Sequence, residues 1–186
     1  WAIRLLSVVL ALIVCAFLIY AIVAMNPLKV YDAMWKGAFG TARRSWITAR
    51  DAMMLLCIGI GLAPAFKMRF WNIGGEGQAL IGALAAAACM ILMKNQSNLV
   101  VIIAMIITSI CAGALCGAIP AFFKAKFGTN ETLFTLMMNY VAIQLVAYFS
   151  VVWENPKGSG NIGVINPNTH VGWFPELFGS KYALNI

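Results

Sequence analysis

Long uncharged runs alternate with short polar breaks along this chain. Residues 5–25 carry no charge, nor do residues 99–123 and 133–153. Each of these runs is long enough to cross a hydrocarbon layer as a helix, which takes about 20 residues. Two shorter apolar runs, 52–66 and 79–93, lie between the first and the last two. The earlier one contains Gly59, Gly61 and Pro64 and stops at Lys67-Met68-Arg69. Residues 94–98 form a polar turn, and from residue 154 the chain is rich in Gly, Pro and Asn, which reads as an exposed loop. The pattern predicts an all-α fold, a polytopic transmembrane helical bundle of five spans, with 1–186 as one transmembrane domain and 154–186 as an extracellular loop.

One segment has a different rhythm. Asn26 and Pro27 resemble a helix start, and Leu28, Tyr31, Trp35, Ala38, Phe39, Ala42 and Trp46 follow at helical spacing. Lys29, Asp32, Lys36, Arg43 and Arg44 lie mostly elsewhere on the wheel. This predicts one amphipathic helix in the membrane interface, with Trp at headgroup depth. An ordinary soluble helix is the alternative. Within the fourth run Ser109, Gly113 and Gly117 recur every four residues, which suits close helix packing in lipid.

Composition agrees with the pattern. Apolar residues make up 62% of the 186 residues and charged residues 10%, against roughly 45–50% and about 25% in a soluble domain. A chain this short cannot bury so much apolar surface in its own core. The net charge is +7, but the basic residues are scattered at segment ends, without the clustered face that nucleic acid needs. If all five runs cross, Arg4, Lys67, Arg69, Lys124 and Lys126 share one side, which is then cytoplasmic. Arg43, Arg44 and Arg50 fall on the other, against the rule. The first run exceeds a signal-peptide core and has no small-residue cleavage pattern, so it is expected to stay as a span. Cys15, Cys57, Cys89, Cys111 and Cys116 lie in apolar runs without metal-ligand spacing to His170, and are expected as packed thiols.

Candidate chemistry concentrates in two places. Asn72-Ile73-Gly74-Gly75-Glu76-Gly77-Gln78 lies between the two short runs. Glycine-interrupted short runs point to broken helices facing a cavity in transporters. Glu76 in mid-bilayer would cost at least roughly 2.5–3.5 kcal/mol and would need a partner or water. The competing reading is a tight turn at the membrane surface with Glu76 solvated. No Lys-Ser or Lys-Thr pair occurs, so the stretch is not a phosphate loop. The second place is 124–131, a short basic helix with Phe127 and Gly128 between two long spans. It suits docking in a partner's groove, or is a plain positive-inside turn. Asn139 and Gln144 lie inside the fifth run. Amides there ordinarily bond to a neighbouring helix, and lining a solute path is the alternative. His170 near Trp173 reads as a solvated loop residue.

The stretch from Phe70-Trp71-Asn72-Ile73-Gly74-Gly75-Glu76-Gly77-Gln78 to Ala79-Leu80-Ile81-Gly82-Ala83 resembles the signature of ABC-transporter permeases of the ribose, simple-sugar and nucleoside importers. It is closest to the nucleoside branch. Lys124-Ala125-Lys126-Phe127-Gly128-Thr129-Asn130-Glu131-Thr132-Leu133, continuing to Leu136-Met137-Met138-Asn139-Tyr140, resembles the cytoplasmic loop of such permeases. Asn26-Pro27 and Lys36-Gly37-Ala38-Phe39-Gly40 also match that branch.

The resemblance implies a permease subunit of an ATP-driven importer that moves a nucleoside or simple sugar across the cytoplasmic membrane of a bacterium. It performs no bond chemistry and holds no cofactor, ATP being bound by a partner. The implied partners are ATP-binding cassette ATPase subunits, a second permease subunit, an extracellular substrate-binding lipoprotein and the bilayer, with no nucleic acid. Asn72, Gly74, Gly75, Glu76, Gly77 and Gln78 are implied to shape the substrate path as a broken-helix motif. Lys124, Lys126, Phe127, Gly128, Asn130 and Glu131 are implied to form the ATPase-coupling loop. Family members carry further spans after the external loop, so this chain is expected to be an N-terminal half. The alternative function is an ion-coupled secondary transporter or a channel. It needs intramembrane carboxylates, and only Glu76 lies near a span while Asp51 and Glu131 sit at edges. A membrane-embedded enzyme would need a constellation of His, Asp or Ser at membrane depth, which one loop histidine does not supply.

Overall fold

The computed structural model describes residues 2–174. Six helices follow in order: α1 (Ala2–Val23), α2 (Pro27–Phe39), α3 (Ala42–Lys67), α4 (Gly75–Leu92), α5 (Asn98–Phe127) and α6 (Glu131–Val152). No strand occurs among the described residues. All helices but α2 are long and apolar enough to cross a membrane, which bears out the all-α class and the five spans. Within the described residues, 2–52 form one compact unit and 53–174 another.

In the first unit α1 has no buried residue, so its apolar surface is directed outward as lipid requires. Asn26 caps α2 by accepting from the Leu28 N–H at 3.0 Å, and Pro27 takes the first position. The Tyr31 hydroxyl donates to the Leu12 carbonyl at 2.6 Å and ties α2 to α1. The expected single helix through Trp46 is two. α2 ends at Phe39, where the Gly40 N–H bonds to the Lys36 carbonyl. Thr41 then opens α3, its Oγ1 accepting from the Arg44 N–H at 3.3 Å. Thr48 Oγ1 donates to the Ala38 carbonyl at 2.9 Å and holds the corner. The apolar period keeps its phase across this break, so periodicity alone passes over it. Gly40-Thr41, a stop residue followed by a cap, is the local signal. α3 therefore starts ten residues before its apolar run and includes Arg43, Arg44 and Arg50.

In the second unit α4 packs on both α5 and α6. The Ser109, Gly113 and Gly117 row is its seat on α5. A Cβ on Gly113 would stand 3.5 Å from the Gln78 carbonyl oxygen, and one on Gly117 3.3 Å from Gln78 Nε2. On the facing side a Cβ on Gly82 would stand 3.2 Å from the Ser109 carbonyl oxygen. Val101, Met105, Cys116 and Ala142 form the buried apolar core. Cys89 pairs with Thr108 at 3.2 Å. Cys15, Cys57 and Cys111 are exposed rather than packed, because their helix faces carry the outward apolar surface.

The loop from residue 153 is tied down by its own polar groups, and residues 175–186 of the expected extracellular loop lie outside the described residues. Asn166 Nδ2 donates to the Met90 carbonyl, and Asn98 Oδ1 accepts from the Gly172 N–H. His170 is exposed and stacks on Trp173 with ring centroids 4.4 Å apart. The Glu154 carboxylate accepts from the N–H groups of Gly158 at 2.7 Å and Gly160 at 3.0 Å. These bonds favour the ionised form and hold its carboxyl pKa below the ordinary value. Their contribution is therefore complete above the unfolded carboxyl's pKa, about 4.3, and is lost as pH falls through the lower folded value. Hydrogen-exchange protection at Gly158 and Gly160 should drop across that acid window in the wild type. In Glu154→Gln it should be weaker throughout and independent of pH.

Candidate functional site

The two motifs meet at one end of the second unit. Arg69, with φ of 57°, turns the chain out of α3, and residues 70–74 run non-helically to the start of α4. This segment lies on the first two turns of α6. The Ile73 N–H donates to Thr135 Oγ1 at 3.1 Å, across 62 residues of sequence. The Gly77 N–H donates to Asn139 Oδ1 at 2.5 Å, again 62 residues away. Asn72 is buried; its Oδ1 accepts from the Gly74 N–H at 3.0 Å and its Nδ2 donates to Gln78 Oε1 at 3.2 Å. Helix α4 thus begins without a cap from its own Gly74, and two donors at its start, the Gly74 and Gly77 N–H groups, are met by Asn72 and by Asn139 of α6.

The glycines have a steric reason. A Cβ on Gly74 would lie 2.8 Å from the Thr135 carbonyl oxygen, and one on Gly75 2.8 Å from a Leu62 methyl. At Gly77 it would lie 2.7 Å from Asn139 Oδ1 and 2.9 Å from Asn139 Cα. Asn72, Gly74, Gly75 and Gly77 are buried in the junction, and Gln78 is half-buried against Gly117. Glu76 is exposed in the first turn of α4, where a negative charge complements the helix dipole. It has no ion pair among the described residues. A hollow of about 320 Å³ runs beside the junction, lined by Cys57, Gly61, Leu62, Gly75 and Gln78 among others. A second, of about 430 Å³, lies at the opposite end of the unit among Lys94, Asn95, Trp153, Asn155 and Asn168.

The basic loop is part of the same cluster. Lys124 Nζ pairs with Glu131 Oε1 at 2.8 Å and stands 5.4 Å from the centre of the Phe70 ring. The Lys124 ammonium, with a smaller contribution from the Trp71 backbone, holds the Glu131 carboxyl below its ordinary pKa. No separate basic helix forms. Lys124 and Lys126 occupy the last turn of α5, since nothing breaks that helix before Gly128. Gly128, with φ of 63°, is its left-handed cap, and Asn130 Oδ1 caps α6 by accepting from the Thr132 and Leu133 N–H groups. Phe127 is 61% exposed beside Lys126. Thr129 Oγ1 is buried without a partner among the described residues.

Sequence reasoning placed Asn139 as an amide bonded to a neighbouring helix, and it is. It did not find Thr135, whose hydroxyl is the anchor for Ile73. Gln144 differs: it is exposed and makes no side-chain hydrogen bond among the described residues.

Residues 47–175 match the family described as the permease component of the branched-chain amino acid transport system. The guanosine ABC transporter permease protein NupP of Bacillus subtilis is 34% identical over 134 residues, covering 71% of this chain and 38% of that protein. The nucleoside ABC transporter permease protein NupB of Lactococcus lactis is 31% identical over 185 residues, covering 94% of this chain and 50% of that protein. The glucose ABC transporter permease protein TsgB13 of Haloferax volcanii is 30% identical over 131 residues, 69% of this chain and 34% of that protein. The chain spans half or less of the length of these relatives. No solved structure matches it. With a family match across most of its length and five helices able to span a bilayer, this chain belongs to the family of ABC-transporter permease components and is a multi-pass cell-membrane protein.

Proposed function

We propose that the protein is the permease subunit of a bacterial ATP-driven importer for nucleosides, translocating its solute without bond chemistry or a cofactor of its own. The observation that carries this reading is the shared junction of the 70–78 segment with the loop between α5 and α6. A partner that moves the loop moves the start of α4 with it. The exposed Phe127 beside Lys126 offers an apolar knob with a positive flank, suited to a groove on an ATP-binding cassette ATPase. On this reading Lys124, Lys126, Phe127, Gly128, Asn130 and Glu131 couple to the ATPase. Asn72, Gly74, Gly75, Glu76, Gly77 and Gln78 hand that motion to the helices that shape the path. The end bearing Lys67, Arg69, Lys124 and Lys126 is then cytoplasmic. A second permease subunit and an extracellular substrate-binding lipoprotein complete the assembly. Two relatives named for guanosine and nucleoside transport favour nucleosides over the sugar of the third.

The full-length protein, co-purified with candidate ATPase subunits and reconstituted in vesicles, should take up guanosine only with ATP. Uptake driven by an ion gradient without an ATPase would sink this reading and favour a secondary transporter. Glu76→Gln should lower ATP-driven uptake while costing no more than the roughly 0.3–1 kcal/mol of its favourable charge at the start of α4, because the carboxylate has no ion pair among the described residues and is free to meet one across an interface. Unaltered uptake would make Glu76 a solvated turn residue.

A further inference from the structure

Helix α6 has two opposed faces. Successive residues are about 100° apart on an α-helix. Thr135, Asn139 and Ala142 therefore fall within about 60° of one another, and they are the buried face that meets α4. Gln144, nine residues after Thr135, falls on the diametrically opposite side. Tyr140 and Tyr148 stand one turn before and one turn after it. Tyr140 is 62% exposed and Tyr148 65%. None of the three makes a side-chain hydrogen bond among the described residues. The Tyr148 ring meets Phe149 edge-on at 5.4 Å, leaving most of its surface open.

Gln144 lies about 20 Å along the helix from Glu131 and about 12 Å from Val152, deep within a hydrocarbon layer of roughly 30 Å. Three surroundings can be weighed there. Lipid offers an amide and two hydroxyls no hydrogen-bond partners, so it is the most costly. A tightly packed neighbouring helix calls for small residues, as on the Ser109–Gly113–Gly117 row of α5. This face of α6 instead carries Leu133, Met137, Tyr140, Gln144 and Tyr148, all bulky and all exposed. A water-filled path through the protein suits the row on both counts. Its chemistry also selects an occupant. Flat phenol rings one turn either side of an amide can stack on a heteroaromatic ring, while the amide presents a donor and an acceptor side by side to that ring's edge. Nucleobases are held elsewhere by this combination of stacking and edge hydrogen bonds.

We propose that Tyr140, Gln144 and Tyr148 line the solute path and that Gln144 reads the base of a passing nucleoside. This rests on the permease reading above and adds the part of the solute that is recognised. The test uses the full-length protein with its ATPase and binding protein in vesicles. In a version whose native cysteines are alanine, Gln144→Cys should react with a charged, membrane-impermeant thiosulfonate reagent. Saturating guanosine should slow that reaction about tenfold, and ribose should not. In the protein with native cysteines, Gln144→Leu should lower guanosine uptake about tenfold with an unchanged melting temperature. Tyr140→Ala should lower it further than Tyr140→Phe. An unreactive thiol in the Gln144→Cys variant, protection by ribose equal to that by guanosine, or normal guanosine uptake in Gln144→Leu would each overturn the proposal. A failure of the permease reading is seen separately, since the wild type itself would then show no ATP-driven uptake of guanosine.

Discussion

Gly77→Val should be the most damaging single substitution in the second unit, lowering stability by about 3 kcal/mol or more. The added Cβ alone would stand 2.9 Å from the Asn139 Cα and 3.1 Å from the Ala142 Cβ. Neither atom is the end of a flexible side chain, so only separation of α4 from α6 can relieve the clash. That separation breaks the hydrogen bond from the Gly77 N–H as well. Gly77→Ala should show the same effect at smaller size, about 1–3 kcal/mol. Gly59 and Gly61 provide the contrast, because a Cβ at either would meet nothing within 4 Å. Replacing them by alanine should be neutral or slightly stabilising, since each glycine in a helix interior costs roughly 0.5–1 kcal/mol relative to alanine. Thermal unfolding in detergent, with size-exclusion profiles as a check on assembly, would measure all four. Equal stability of Gly77→Val and the wild type would mean that α4 and α6 do not meet as described.

Asn139→Leu comes next. It fills the same space with an apolar group and leaves the Gly77 N–H in a buried place without an acceptor, which costs about 1–3 kcal/mol. The backbone donor it strands belongs to another helix 62 residues earlier. Asn139→Asp keeps the acceptor and sets negative charge at the start of α4, where the helix dipole favours it. It should therefore retain more stability than Asn139→Leu. Thr135→Val should act on the same junction by releasing the Ile73 N–H. Combined with Asn139→Leu it should cost less than the sum of the two, since the first loss already loosens the segment that the second would hold. Strict additivity in unfolding midpoints would show instead that the two bonds are independent.

These two residues also mark what could be read from the sequence. Three of the five spans were legible because lipid imposes one requirement, about 20 residues without charge, and residues 5–25, 99–123 and 133–153 meet it openly while 52–66 and 79–93 fall short of it. The break at Gly40 was not, because the apolar residues keep helical phase through Trp46. The basic loop was read as its own helix, yet α5 continues through Lys124 and Lys126 until Gly128 stops it. Asn139 and Gln144 present the same chemistry five residues apart in one span. Sequence alone treats them alike, but they differ by about 140° around the helix. Ala142 and Thr135 share the side of Asn139, and small residues on that side were the available sign that another backbone comes close there. What no single sequence orders is which backbone. The pairing of residue 73 with 135 and of 77 with 139 is a matter of tertiary contact, and it joins two motifs that had been assigned separate tasks.

The turn between α5 and α6 consists of Gly128, Thr129 and Asn130 alone, with a cap on each side. A connection that short has no slack. Any load applied at Phe127 must appear at once at Glu131, and through Lys124 against Phe70 and Thr135 against Ile73 it reaches the segment that starts α4. Three helix ends then behave as the short arm of a single lever. A longer, glycine-rich insert at Thr129 would absorb such a load before it reached the start of α4, while leaving every span in place.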